Sequence, residues 1–227
     1  MTAILGSATA EAAAKIIAAA LPHAAQSLQS SEDQIRFEDG LFIVENTNHS
    51  IDFEDLIKTL AVAGQPHLLN IAHSYETAGA TYPYGCHIAE VEIDPASCTV
   101  ALERFTVVDD FGLVINPQML AGQIHGGIAQ GVGQALFEHV VYDDEGQILS
   151  GSFLDYAMPR ADHFPPLDIH MRNTPCQNNV LGIKGSGEAG AIGAPQAVVG
   201  AVCDALDICH VDMPVTPQKI FDILHNR

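Results

Sequence analysis

Two glycine-rich segments hold the residues best suited to chemistry. In the stretch from Gly182 to Gly193, glycines 182, 185, 187, 190 and 193 stand ahead of an apolar helical run. Such loops turn backbone N–H groups outward, toward anions and phosphates. Glu188 is the one carboxylate in this stretch, set beside Ala189 and close to Ile192. In an open loop it is a solvated surface group. Partly buried, its charged form is disfavoured and its pKa raised, as a general base working near neutral pH requires. The residues leave both readings open, a solvated group or a shielded carboxylate. The order of residues is not that of a Walker A loop, and no clear parallel strand precedes it to make a dinucleotide fingerprint. The second segment, Gln118 to His139, reads as a helix despite Gly122, Gly126, Gly127, Gly131 and Gly133. Each glycine costs about 1 kcal/mol relative to alanine in a helix interior. Its face of Gln123, Gly126, Gly127, Gln130 and Gln134 either packs closely on another element or offers amides and bare backbone to a bulky polar ligand.

Other candidates are weaker. The 11 histidines include no H-x-x-x-H pair, so no metal ligand is expected, and His87 and His125 read as packing or hydrogen-bonding residues. Ser152 is not in a G-x-S-x-G elbow. The acidic clusters at 109–110 and 143–145 read as turns and solvated faces. Nine Lys+Arg against 28 Asp+Glu leave a net charge of −19, which repels phosphate backbones and anionic membranes and argues against nucleic-acid or membrane partners. Charged residues make up 16%, below the roughly 25% of soluble domains, so part of the surface is expected to lie under partner subunits. Five cysteines without a C-x-x-C pair read as reduced, mostly buried thiols in a cytoplasmic protein. Ala3 to Leu21 is apolar, but Glu11 and Lys15 interrupt it and no basic residue precedes it, so neither a signal peptide nor a membrane span is expected.

These residues must be positioned by interleaved hairpins and helices, an α+β chain of hairpin-built mixed sheets packed with helices. Ser7–Leu21 predicts a helix, Asp39-Gly40 a tight hairpin within 35–44, and Ser50–Ile57 a short capped helix. A loop follows from Gly64 to Gly85, with Pro66 and Pro83. Residues 86–108 predict a long hairpin. Leu120, Ile124, Ile128, Val132 and Leu136 mark the core stripe of the Gly/Gln helix. A third hairpin is expected over 140–154, a short strand near 167–171, and a helix from about Pro195, with proline in its first turn, to Leu206. The organisation is either a helix-hairpin-helix portion at 1–85 and a cofactor-facing portion at 86–227, or one intertwined domain.

The Gly122–Leu136 segment resembles the Gly/Gln helix of the molybdenum-binding large subunit of the xanthine dehydrogenase, aldehyde oxidase and aerobic carbon monoxide dehydrogenase family. Further segments resemble it in the same order: Cys86–Asp94, Val108–Gly112 with Ile115–Pro117, Asp155–Arg160, Lys184–Glu188 and Asp212–Pro217. Together they cover nearly the whole chain. The resemblance implies that Gln123 hydrogen-bonds the pterin of a molybdopterin-type molybdenum cofactor, with Gly126 and Gly127 beside it. It implies that Lys184, Gly185, Ser186 and Gly187 line the metal site and that Glu188 is the base that takes up a proton there. It further implies electron transfer through iron–sulfur clusters to FAD on partner subunits. Family members carry several hundred more residues, so the chain looks like the C-terminal part of such a subunit, sharing its cofactor with a missing chain or segment and unable to hold it tightly alone. The substrate would be a small molecule: an aldehyde, an N-heterocycle or carbon monoxide. The alternative is a non-catalytic fragment or accessory subunit that keeps the fold without turnover.

Overall fold

The computed structural model describes residues 2–65 and 69–225. The fold is α+β and divides into two compact units: Met1–Gly79 with Asn178–Leu181, and Ala80–Gln177 with Gly182–Arg227. The break falls after Gly79 rather than at 85, and the return segment 178–181 joins the first unit. There the Tyr75 hydroxyl donates to the Asn178 carbonyl at 3.4 Å, and Leu181 packs on Gly6, where a Cβ would come within 2.7 Å of its Cδ1.

In the first unit, helix α1 (Thr2–Leu28) runs longer than expected, with Pro22 inside it. Among the described residues it is the one helix long and apolar enough to cross a membrane, with a mean hydropathy of 1.5. By length and composition alone the segment thus meets the measure of a span that Glu11 and Lys15 suggested it would miss. Its Ala20 and Ala24 pack with Phe42, Leu56 and Leu60 into a small core, while His73 bridges Glu11 and Lys15 at 2.7 and 2.9 Å. Strands β1 (Ile35–Glu38) and β2 (Leu41–Val44) form the expected hairpin. Asp39 and Gly40 both take positive φ, 49° and 83°, the two-residue turn whose twist suits the strands. The segment read as a helix from Ser50 begins instead as β3 (Ser50–Asp52), paired with β2. Asp52 then caps α2 (Phe53–Val62), accepting from the Glu54 amide at 2.7 Å. Residues 70–83 are irregular, as expected of the loop, whereas Pro66 lies outside the described residues.

In the second unit, β4 (Tyr84–Asp94) and β5 (Thr99–Asp110) form the long hairpin, and β6 (Asp168–Arg172) adds to β5 in parallel, giving the mixed order β4-β5-β6. Helix α3 (Pro117–Leu136) starts at Asn116, whose side chain accepts from the Met119 amide at 3.0 Å. Its stripe of Leu120, Ile124, Ile128, Val132 and Leu136 is buried against the sheet with Phe105 and Val107. Helix α4 (Ala189–Ala205) starts six residues before Pro195. The Glu188 carbonyl accepts from the amides of Ala191 and Ile192 at 3.0 and 3.1 Å, so the first helical turn forms ahead of the proline, which sits inside the helix. The expected hairpin at 140–154 reduces to a single bridge, Tyr142 to Ile148. Its turn is tied by Asp143, which accepts from Glu145 and Gln147, and too few paired residues flank it to extend a ladder. The closing segment docks through the Val215 amide on the Ala135 carbonyl, 2.7 Å, and α5 (Pro217–His225) contributes Ile220 to the core. All five cysteines are free, but only Cys98 is buried, while Cys86 and Cys209 are exposed. The mostly buried thiols expected are not found, because these two sit at positions the packing leaves open.

Candidate functional site

The two glycine-rich segments meet. A Cβ on Gly187 would lie 3.7 Å from the Gln123 amide nitrogen, so the loop before α4 runs beside the first turns of α3. The helices cross where Gly127 faces Gly190. A Cβ on Gly127 would come within 2.9 Å of the Gly190 Cα and the Ala191 nitrogen. Gly131 is equally close to Ala194 and Pro195. Close packing therefore accounts for Gly127, Gly131 and Gly190. It does not account for Gly122 and Gly126, where an added Cβ would meet nothing within 4 Å. These two share an exposed face with Gln123, Gln130 and Gln134. Close packing thus explains Gly127 and Gly131 of the Gly/Gln helix, while Gly122 and Gly126 keep open backbone.

The loop is fastened from below by Asp110. Asp109 and Asp110 are 3% and 4% exposed, which corrects their reading as a solvated turn. They close β5, and a strand's period of two puts Asp109 on the inward face with Phe105 and Val107. That alternation was a signal in the sequence. Asp110 Oδ1 accepts from the amides of Gly112 and Thr174 at 2.8 and 3.2 Å. Its Oδ2 lies 3.1 Å from the Lys184 ammonium, with both side chains buried. The ammonium also sits 4.1 Å over the Tyr84 ring, a favourable seat for a cation. Burial opposes the charge on Asp110, but the hydrogen bonds from Thr174 and Gly112 and the Lys184 partner outweigh it and hold the carboxyl well below the usual range. Burial likewise works against Lys184, and Asp110 and Tyr84 more than offset it, raising its pKa. Lys184 thus points inward, with its side chain buried beside Asp110.

Gly185 and Gly187 are exposed and Ser186 half-buried. Glu188 is exposed at the start of α4, with no side-chain capping bond. Shielding for it is not supplied by this chain. Behind Ala189 lies a cavity of about 90 Å³, lined by His87, Asp109, Gly85 and Gly193 among others. There His87 Nε2 approaches Asp109 Oδ1 at 3.4 Å, both side chains being buried. His87 Nδ1 and Asp109 Oδ2 have no partner. Tyr84 carries no signal of this role in the sequence, and Asp109 and Asp110 read there as a solvated turn. Among the described residues no cluster of three or more metal-ligating side chains exists.

A model of the molybdopterin cofactor-binding domain matches residues 1–165. The chain belongs to that family. It is 38% identical over 209 residues to the nicotine 6-hydroxylase large subunit of Paenarthrobacter nicotinovorans, covering 87% of this chain and 25% of that protein. It is 32% identical to the carbon monoxide dehydrogenase large chain of Hydrogenophaga pseudoflava, covering 99% and 29%. Among solved structures, a Cu,Mo-CO dehydrogenase in its carbon monoxide reduced state superposes with a TM-score of 0.88 at 28% identity, over 99% of this chain and 29% of that one. Quinoline 2-oxidoreductase from Pseudomonas putida 86 gives 0.83 at 32% identity, covering 95% and 29%. The chain therefore corresponds to part of a molybdenum hydroxylase large subunit, spanning 25–29% of the length of these relatives. A pterin-type group fits the open face of α3: bare backbone at Gly122 and Gly126 admits a flat ring system, and the flanking glutamine amides can both donate to and accept from its edge.

Proposed function

We propose that this chain supplies one wall of the active site of a molybdenum hydroxylase, which oxidises a small molecule of the aldehyde, N-heterocycle or carbon monoxide kind. The observation that carries this reading is the approach of Gly187 to Gln123 beside the open glycines of α3. That approach brings the carboxylate-bearing loop beside a stretch of the helix whose backbone is open at Gly122 and Gly126. When bound, the molybdenum cofactor would supply the two-electron oxidation chemistry. Gln123 would hydrogen-bond the pterin edge, Gly126 would admit it to the backbone, and Gly127 would keep α4 close enough to hold the loop beside it. Gly185 to Gly187 would turn backbone toward the metal side, and Glu188 would take up a proton from the group it faces. Limiting water raises a carboxylate's pKa toward the neutral range that suits a general base. Glu188 and the amide face are open on this chain, so the covering wall must come from the remaining portion of the large subunit. The chain by itself is accordingly expected to hold no molybdenum and to turn nothing over. FAD and iron–sulfur clusters on partner subunits would carry the electrons away, and a cytoplasmic location suits the free thiols.

The test is made on the complex purified with its native companion chains. Glu188→Gln is expected to lower kcat by roughly 100- to 10,000-fold, the usual range for losing a general base, with molybdenum content unchanged. Turnover within threefold of the parent would remove Glu188 from the mechanism. Stoichiometric molybdenum on the isolated chain would overturn the shared site.

A further inference from the structure

We propose that Asp110, acting through Lys184, is the positioning residue that sets the height and register of the loop carrying Glu188. This deepens the function proposed above and rests on that reading only for its catalytic consequence.

Three separate backbone segments converge on Asp110. Its Oδ1 accepts from Gly112, which begins the turn after β5, and from Thr174, which follows β6. Its Oδ2 faces Lys184, which begins the loop. The backbone repeats the same junction: the Lys184 amide donates to the Phe111 carbonyl at 2.9 Å, and the Leu113 and Cys176 amides both donate to the Gly182 carbonyl, at 2.8 and 2.9 Å. Gly112 takes a φ of 68° and abuts the Gly182 carbonyl, so only glycine closes this junction without strain. From Lys184 to Glu188 the chain then crosses Gly185 and Gly187, both exposed, where an added Cβ would meet nothing within 4 Å at Gly185 and only the Gln123 amide at Gly187. A segment so rich in glycine keeps one conformation only if its ends are fastened. One end is α4. The other is the buried ion pair of Lys184, whose ammonium has Asp110 on one side and the Tyr84 ring on another.

Breaking one member of a buried pair leaves an uncompensated charge, so the junction is expected to open locally before the rest of the unit does. The experiment is amide hydrogen exchange on the full chain, reading Leu113, Cys176 and Lys184 against the hairpin amides of β4 and β5. Lys184→Met is expected to speed exchange at the three junction amides by roughly 100-fold, the lower part of what losing a buried partner implies. The amides of 100–107 should stay within about threefold. Lys184→Arg, which keeps the charge and its donors, should restore most of the protection. Should Lys184→Met fail to fold, Tyr84→Leu removes only the ring beneath the ammonium and is expected to give a smaller acceleration, about threefold to tenfold, at the same three amides. In the assembled enzyme Lys184→Met should lower kcat with KM and molybdenum content unchanged.

Equal acceleration across the hairpin would reduce the pair to general stability and overturn the proposal, as would unchanged exchange at the junction. If exchange responds as expected while Glu188→Gln keeps full turnover, the loop fastening stands and the assignment of the base falls instead.

Discussion

Alanine replacements at neighbouring positions, Gly126 and Gly127, separate the ligand-facing glycines of α3 from those that let α4 approach. Both sit in a helix interior, where alanine is favoured by about 1 kcal/mol. At Gly126 the added methyl meets nothing within 4 Å, so the whole gain is realised. In a domain of 150–250 residues this raises Tm by about 2–4 °C. At Gly127 the methyl would lie 2.9 Å from the Ala191 nitrogen and the Gly190 Cα. These are backbone atoms of a packed helix, which move only if α4 moves. Overpacking of this kind costs about 1–3 kcal/mol, which cancels or reverses the helix gain. Gly127→Ala is thus expected to melt about 2–12 °C below Gly126→Ala. The assay is thermal unfolding of the isolated chain by circular dichroism, followed by molybdenum content of the assembled complex. There the order inverts for cause: Gly126→Ala, the more stable chain, should load cofactor poorly because its methyl occupies the open face. Equal melting temperatures would refute the division of the glycines. A normally loaded Gly126→Ala complex would refute the placing of the cofactor on that face.

Asn116→Ala removes the side chain that accepts from Met119 at the start of α3 and should cost about 1 kcal/mol, read from the urea midpoint, with Asn116→Asp retaining most of it. Asp110 governs an acid-side stability term. Because its folded carboxyl is held well below the usual range, its contribution is complete above the unfolded pKa near 4 and is lost as pH falls from there toward the depressed folded value. Asp110→Asn should therefore flatten the fall in stability below about pH 4, and an unchanged slope in urea titrations at stepped pH would count against a carboxyl held down by Thr174, Gly112 and Lys184.

Much of the local structure was written in short-range pattern. The four-residue spacing of Leu120 to Leu136 placed α3 and its buried stripe, and Asp39-Gly40 placed the first hairpin, because side-chain period and positive φ are properties of a few adjacent residues. The motifs from Cys86 to Pro217 sufficed to place the chain in its family. The readings that differ from the structure share another feature. Pro195 suggested a helix start, but the turn before it is closed by the Glu188 carbonyl. Asp109-Asp110 looked like a polar turn, although its alternation with Phe105 and Val107 already put Asp109 on the inner face.

Burial of a charge depends on partners distant in sequence, and so does the division of labour among glycines. Residue type and spacing were enough to mark Gln123 and Glu188 as residues to watch, since chemistry follows from functional groups, and the family resemblance added Lys184. Only the folded chain separated their surroundings. Lys184 turns inward because Asp110, 74 residues earlier, and Tyr84, a hundred residues earlier, are brought beneath it by β4 and β5. Gly127 is packed while Gly126 is open because α4 crosses α3 at one point, and a helix contact covers one side of the cylinder and leaves its neighbour free.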